Sequence, residues 1–308
     1  MLSIGNTNKI VNILNLRKTC MRIYPLCPSC LLSRVCYEAE LVTKDKRTIE
    51  KCVDEALKLL AENYSKKPIN AHLATRIHRR VYEVLGCEDP YKDVKEKANK
   101  IAAKFLQEAE KVIESIDDRF KAAIIAAIVG NNFDYGVMGH RVAEENFREY
   151  FREKVIEGLK VDHVDRIRDL CRGKVVYLTD NAGEIFFDTL LMKEIKKICE
   201  RLTVVVRGRP VISDATVEDA KLAGVDKIAD ELLTNGKGAI GILVEELPEI
   251  TLKRIEEADI IIAKGMANYE CLSESEFKPI AFLLTAKCRP VAEDIGVNVG
   301  DMVAMVVE

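Results

Sequence analysis

Short, strongly apolar segments in the second half of the chain constrain the fold most. They are rich in β-branched residues, show no alternation of polar and apolar side chains, and occupy residues 174–178, 203–207, 259–264 and 281–287. Strands of this kind are typical of a parallel sheet that is covered on both faces. Amphipathic stretches between them, such as residues 215–225, supply the covering helices, and the apolar run at 302–307 predicts a last strand.

The first half of the chain has a different pattern. Helical periodicity runs from about Arg47 to Arg172, where strand signals are nearly absent. The segment 122–129 is apolar on all sides, which predicts a central helix that is buried all round. The stripes that we expect to face the core are Ile101, Phe105, Ala109, Val112 and Ile116; Ile49, Val53, Leu57 and Leu60; and Leu73, Ile77, Val81 and Val84.

These two patterns predict an α/β protein with two domains. Residues 1–168 form an all-helical domain, and residues 169–308 form a Rossmann-like domain around a mostly parallel sheet.

The balance of charges narrows the function classes. With 47 basic and 50 acidic residues the net charge is only −3, which gives no support to nucleic acid or a membrane surface as a partner. No apolar run approaches the roughly 18 residues of a transmembrane helix. Residues 1–20 lack the order of a signal peptide. We therefore expect a cytoplasmic protein that binds neither nucleic acid nor membrane, with oligomer formation left open.

Ten cysteines are many for a protein of the cytoplasm, where thiols stay reduced. Cys27 and Cys30 form a C-x-x-C motif flanked by Cys20 and Cys36, which is compatible with a metal site, a redox pair or simple packing. A redox pair prefers a strand-to-helix context, which the residues before Cys27 do not show. The cysteines expected to pack in the core are Cys52, Cys171, Cys199 and Cys271.

Polar side chains follow each predicted strand. In an open parallel sheet, ligands bind at the carboxyl ends of the strands, so these residues are candidates for a site. Taken singly, each of them also fits a helix cap or a solvated charge. They are Asp180, Asn181 and Glu184 after the first strand; Arg207, Arg209 and Asp214 after the second; Lys264, Asn268 and Glu270 after the third; and Lys287 with Cys288 after the fourth.

The residue types at this edge indicate phosphoryl chemistry. Oxygen ligands from Asp180, Asn181 and Asp214 suit a hard cation such as magnesium or manganese. Lysines beside such a cation suit a phosphate group. No G-x-G-x-x-G follows the first strand, and the glycines of residues 235–241 follow a polar segment without a G-K-[ST] ending, so dinucleotide and P-loop sites are not indicated.

The order of short motifs resembles that of the metal-dependent damage-control phosphatases, formerly a domain family of unknown function, and in particular their cysteine-containing first subfamily. The resemblance spans most of the chain. Ala267 departs from the pattern, where glycine is usual, which affects the local turn. The matching motifs are the C-x-x-C of Cys27 and Cys30, EDPYKDVK (88–95), GNNFD (130–134), DNAGE (180–184) with Asp188, PVISDAT (210–216), KGMANYE (264–270) and KC (287–288).

The resemblance implies a two-domain enzyme that hydrolyses phosphate monoesters of small metabolites, such as damaged or surplus sugar phosphates and nucleotide-related compounds. It also implies a divalent cation, which is manganese, magnesium, cobalt or nickel, held by Asp180, Asn181 and Asp214. Cys27, Cys30 and Cys288 are expected to meet in space. We assign Asp180, Asp214 and Lys264 to catalysis, and Asn131, Asp134, Glu184, Arg207, Asn268, Glu270 and Lys287 to substrate binding.

Three questions stay open at this point. The nucleophile is either water or a carboxylate such as Asp180, and the lack of a second acid at residue 182 favours water. A nucleotide-dependent transferase would use the same cleft. A non-enzymatic metal or redox sensor would be centred on the cysteines, with the acids at the strand ends acting as helix caps.

Overall fold

A computed structural model describes residues 21–133 and 147–308. Cys20 and the predicted site residue Asp134 lie outside the described residues. The helices are α1 (Cys27–Val42), α2 (Lys46–Asn63), α3 (Asn70–Leu85), α4 (Lys92–Glu114), α5 (Arg119–Val129), α6 (Phe147–Glu157), α7 (Val164–Leu170), α8 (Glu184–Lys196), α9 (Val217–Ala223), α10 (Glu249–Glu256), α11 (Gly265–Leu272) and α12 (Arg289–Ile295).

A single mixed sheet occupies the second half of the described chain. Its strands lie in the order β1-β7-β6-β5-β2-β3-β4, and every neighbouring pair is parallel except the antiparallel pair of β6 and β7. The predicted α/β class with a mostly parallel sheet is therefore confirmed. The strands are β1 (Val161–Asp162), β2 (Lys174–Leu178), β3 (Arg201–Val206), β4 (Glu231–Thr234), β5 (Ile260–Lys264), β6 (Ile280–Thr285) and β7 (Met302–Val307).

Two strands differ from the prediction. Strand β4 lies directly before the glycines of residues 235–241, so the expectation that these glycines follow no strand was wrong. Its sequence, ELLT, is short and half-buried because β4 is an edge strand, which explains its weak signal. Strand β1 lies in the segment expected to be helical, and it is only two residues long.

Each central strand is buried on both faces, as its unbroken apolar sequence predicts. Successive side chains of a strand point to opposite faces. In β2, Val175 and Tyr177 therefore join the core beneath α4, α5 and α8, whereas Val176 and Leu178 join the core beneath α10, α11 and α12. The two cores therefore hold the carboxyl ends of the strands in a fixed position.

Helix α5 is the predicted central helix. Residues 122–129 are all buried, and the helix is capped at its N-terminus by Asp118, whose side chain accepts a hydrogen bond from the Lys121 amide at 3.0 Å. Gly130 ends it against α8, where a Cβ at this position would lie 2.9 Å from the Cβ of Phe187. This close approach brings Asn131 to the edge of the sheet.

Helices α1, α2 and α3 pack around a smaller core of their own. Of the stripe predicted in α2, Leu60 is buried and Ile49 and Val53 pack against this core, whereas Leu57 is exposed because the buried positions beside it are Cys52 and Ala56. The loop residues Val211 and Ile240 of the α/β part also enter this core. The division of the chain at residue 168 stays a prediction.

Among the residues described, no helix is both long enough and apolar enough to cross a membrane.

Candidate functional site

The loops that follow β2 and β3 are hydrogen-bonded to each other. Asn181 and Asp214 form an antiparallel bridge, the Ala182 amide donates to the Ser213 carbonyl at 2.9 Å, and the Ala215 amide donates to the Asp180 carbonyl at 2.8 Å. The chain leaves β2 for β3 on one side and later returns to β5 on the other, so this edge is the topological switch point of the sheet. The structure thus brings Asp180, Asn181 and Asp214 together.

Two carboxamides orient the carboxylate of Asp180. The Asn181 amide nitrogen donates to Asp180 Oδ2 at 2.9 Å and to Glu184 Oε2 at 3.0 Å, and Asn131 Nδ2 donates to Asp180 Oδ2 at 3.2 Å. Asn131 also donates to Glu184. With its nitrogen used in this way, Asn181 presents Oδ1, which accepts from Ser213 Oγ at 3.1 Å, as its oxygen for a cation.

A fully buried arginine lies beside the two aspartates. Arg207 Nε donates to Asp214 Oδ2 at 2.6 Å, and its Nη2 lies 3.8 Å from Asp180 Oδ1. Buried carboxylates repel each other unless a positive charge offsets them. Arg207, expected to bind substrate, is thus in contact with the proposed cation ligands in this structure.

Lys264 is fully buried behind Glu184. Its ammonium donates to the Ala127 carbonyl at 2.9 Å, to Glu184 Oε1 at 2.6 Å and to Asp188 Oδ1. These three acceptors use the three hydrogens of the ammonium. Lys264 is therefore placed to hold Glu184, which differs from the contact with a phosphate that we expected.

The carboxylates around Lys264 are electrostatically linked to it. Burial alone would lower the pKa of the Lys264 ammonium, but Asp188 and Glu184 outweigh it, and the net shift of the pKa is upward. Burial raises the pKa of Asp188 to about 6, against the influence of Lys264 and with a further rise from Glu184. The Tyr177 hydroxyl donates to Asp188 Oδ1 at 2.8 Å and closes the network on the side of the core.

The turn from β5 into α11 lies against Asp180. Gly265 has a φ of +74°, and a Cβ at this position would lie 2.0 Å from Asp180 Oδ2. Asn268 of the same helix donates from Nδ2 to the carbonyls of Thr179 at 3.1 Å and Lys264 at 2.7 Å. Asn268 therefore joins the ends of β2 and β5, and contacts the backbone instead of an open cleft.

Lys287 is the half-buried cation at this edge. Its Nζ donates to the carbonyl of Asn131 at 2.8 Å, and within residues 21–133 and 147–308 this bond uses one of the three hydrogens of the ammonium.

Glu270 of α11 contacts α3 and is electrostatically linked to two of the motif cysteines, Cys27 and Cys288. Asn70 of α3 donates to Glu270 Oε2 at 3.3 Å, and burial raises the pKa of Glu270 to about 7. Cys27 is the first residue of α1, so the helix that a redox pair prefers is present. Burial raises the pKa of the Cys288 thiol to about 11, with smaller contributions from Glu270, Cys27 and Cys30. The three thiols are thus electrostatic neighbours.

The oxygen atoms at the switch point fit a hard divalent cation. Two carboxylates and one carboxamide converge there, and the Asp180 carboxylate fits against α11 because Gly265 has no Cβ. Within residues 21–133 and 147–308, no three His, Cys, Asp or Glu side chains form a metal-binding group. Such a limited oxygen donor set suits magnesium or manganese, which complete their coordination with water or substrate oxygens. Cobalt and nickel remain candidates that this donor set does not single out.

Sequence reasoning missed two tyrosines that support the site. Tyr177 lies inside β2, where its apolar neighbours suggest a core residue. A hydroxyl in the middle of a buried strand nevertheless needs a hydrogen-bond partner, which here is Asp188. Tyr82 of α3 accepts a hydrogen bond from the Ile212 amide at 2.8 Å, across a separation of 130 residues that leaves no local signal.

Comparison with known proteins identifies clear relatives. Residues 23–303 match the model of the damage-control phosphatase ARMT1-like domain. A protein of Archaeoglobus fulgidus named damage-control phosphatase is 71% identical over 288 residues, which cover 94% of this chain and 100% of that protein. A damage-control phosphatase of Pyrococcus horikoshii is 31% identical, over 92% of this chain and 98% of its own length.

Solved structures give the same result. The crystal structure of a DUF89 family protein from Pyrococcus horikoshii superposes with a TM-score of 0.84 at 30% identity, and the match covers 93% of this chain and 99% of that one.

Proposed function

Because this chain belongs to the ARMT1-like damage-control phosphatase family, we propose that it hydrolyses phosphate monoesters of small metabolites with the help of a divalent cation. The substrates that we propose are damaged or surplus sugar phosphates or nucleotide-related compounds. The partner of the protein is then a small phosphorylated metabolite.

The observation that carries this proposal is the hydrogen-bonded pair of loops after β2 and β3. It gathers Asp180, Asn181 and Asp214 at the switch point, where parallel sheets bind ligands. Asp180 Oδ1, Asp214 and Asn181 Oδ1 would hold the cation. When bound, the cation supplies the positive charge that polarises a phosphate oxygen.

The residues around the proposed cation ligands have three further roles: charge compensation, orientation of the ligands and contact with the substrate. Arg207 offsets the negative charge of Asp180 and Asp214, so that both can lie side by side in a buried position. Lys264 and the two carboxamides hold Glu184 and, through it, the orientation of Asn181. We assign the direct contact with the substrate phosphate to Lys287, whose ammonium is half-buried and keeps hydrogens for an anion.

We propose water as the nucleophile. Asp180 Oδ2 accepts hydrogen bonds from Asn131 and Asn181, which lower the nucleophilicity of the carboxylate. Residue 182 is an alanine, so the second acid that commonly accompanies an aspartyl-phosphate is missing.

Phosphate release from a panel of sugar phosphates, nucleotides and an aryl phosphate tests the proposal. Protein stripped with a chelator should be inactive and should recover with magnesium, manganese, cobalt or nickel. Asp180→Asn and Asp214→Asn should each lose about 100-fold or more in kcat/KM, since several kcal/mol of charge stabilisation are removed. Asp165→Asn is the matched control, because Asp165 is 91% exposed and lies on α7 away from the site. Turnover that is insensitive to the chelator, or equal in all variants, would reject the proposal.

A further inference from the structure

Ile212 has a backbone conformation that its side chain disfavours. Its φ is +40°, in the left-handed region that β-branched residues rarely adopt, and among the residues described Lys67 is the only other non-glycine with a positive φ. Ile212 precedes Asp214 by two positions. Strain of this kind persists only where the surrounding structure holds it.

The contact that holds this conformation comes from helix α3. The Ile212 amide donates to the Tyr82 hydroxyl at 2.8 Å. Val211 and the side chain of Ile212 pack into the core of α1, α2 and α3. The neighbouring loop is held in the same way, because the Ile240 amide donates to Thr75 Oγ1 of α3 at 3.0 Å.

The conformation of Ile212 determines where Asp214 lies. The Asp214 amide donates to the Val211 carbonyl at 3.1 Å, which closes a turn with Ile212 at its first inner position. A positive φ at that position is what gives the turn its shape. The Ser213 carbonyl within the turn accepts from Ala182, so the same turn also fixes the loop that carries Asn181.

We infer that Tyr82 is a positioning residue for the cation site. Its hydroxyl holds Ile212 in the left-handed conformation, and the turn then holds Asp214 beside Asp180 and Arg207. The helical part of the chain thereby completes a site whose ligands all come from the sheet. This inference rests on the proposed function, since it concerns the cation that Asp214 would hold.

The test is the affinity of chelator-stripped protein for manganese, measured by calorimetry for the wild type and for Tyr82→Phe. Loss of the hydroxyl leaves the Ile212 amide without its acceptor, and one such hydrogen bond is equivalent to a decrease in affinity of about 5- to 10-fold. The melting temperature of the metal-free protein is recorded in parallel. Tyr64→Phe is the matched control, because Tyr64 packs against the same helical core with the Lys67 ammonium over its ring, whereas the Ile212 amide donates to Tyr82, and the affinity of this variant should equal that of the wild type.

A second substitution tests whether Tyr82 acts through Ile212. Glycine adopts a positive φ without strain, so Ile212→Gly in the Tyr82→Phe background should restore the affinity to within about 2-fold of the wild type. Restoration supports the inference even if both variants melt at lower temperature. Unchanged affinity in Tyr82→Phe, or a loss that Ile212→Gly does not reverse, would overturn it.

The outcome also separates this inference from the proposed function. Wild-type protein that binds no manganese and releases no phosphate would reject both. Wild-type protein that binds manganese as tightly as Tyr82→Phe would reject only the role of Tyr82.

Discussion

Lys264 and Lys287 have the same side chain at neighbouring strand ends, but different surroundings. Lys264 is fully buried with all three hydrogens donated to protein acceptors, whereas the ammonium of the half-buried Lys287 donates to one acceptor within the described residues, the Asn131 carbonyl. From sequence both were expected to contact a phosphate. Their burial separates them into a residue that holds the site and a residue that can bind an anion.

We expect Lys264→Met to lower the free energy of unfolding by about 3–5 kcal/mol, because it leaves Glu184 and Asp188 buried without their cation. Lys287→Met should change it by no more than about 0.5 kcal/mol. It should instead raise KM for a phosphorylated substrate. Denaturant unfolding and steady-state kinetics measure the two effects, and equal destabilisation by both substitutions would contradict the distinction.

Glu270 gives a prediction for the effect of pH. Burial raises its pKa from 4.5 to about 7. Between these two values the native protein keeps a proton that the unfolded chain has released, so a rise in pH through this window lowers the free energy of unfolding. The loss is complete above about pH 7 and absent below 4.5.

Glu270→Gln removes the ionisable group and with it this loss. The stability of the variant relative to the wild type should therefore increase between about pH 4.5 and about pH 7. Urea unfolding at several pH values measures the difference. A difference that stays constant across this window would contradict the raised pKa.

At the scale of single elements, the turn from β5 to α11 is decisive for the site. Gly265 and Gly296 both have a positive φ, of +74° and +83°. A Cβ at Gly265 would lie 2.0 Å from Asp180 Oδ2, whereas a Cβ at Gly296 would meet nothing within 4 Å. The two glycines thus form a matched pair, equal in backbone strain and different in their distance from the site.

Gly265→Ala should therefore lower kcat/KM by about 100-fold, since a displacement of Asp180 by about 1 Å has effects of this size. Gly296→Ala should lower the free energy of unfolding by about 1 kcal/mol and leave kcat/KM unchanged. Activity assays on both variants, corrected for folded fraction, give the comparison. A fully active Gly265→Ala protein would show that Asp180 does not need this space.

The elements also show what the sequence can predict. The central strands and α5 were predicted because their apolar residues are buried on all sides, so their pattern does not depend on the neighbouring element. Strand β4 was missed because it lies at the edge of the sheet, and Leu57 was misassigned because Ala56 and Cys52, which are small, face the core instead. Small residues at a helix contact give a weak hydrophobic signal.

At the scale of the whole molecule, Asp180, Asn181 and Asp214 were predictable as a group because the ends of parallel strands meet at one edge. Their supporting contacts were not predictable. Tyr82 reaches the Ile212 amide from 130 residues away, and Lys264 reaches the Ala127 carbonyl from 137 residues away. Contacts of this kind depend on how α3 and α5 pack against the sheet, and this packing cannot be predicted from the periodicity or spacing of residues in the sequence.

The central claim is that Asp180, Asn181 and Asp214 hold a divalent cation at the switch point of the sheet. Anomalous diffraction from crystals grown with manganese tests it most directly. The account predicts an anomalous peak bonded to oxygens of these three side chains, and the loss of that peak in Asp214→Asn. A peak at Cys27, Cys30 and Cys288 instead, or no peak beside Asp180 at saturating manganese, would contradict it.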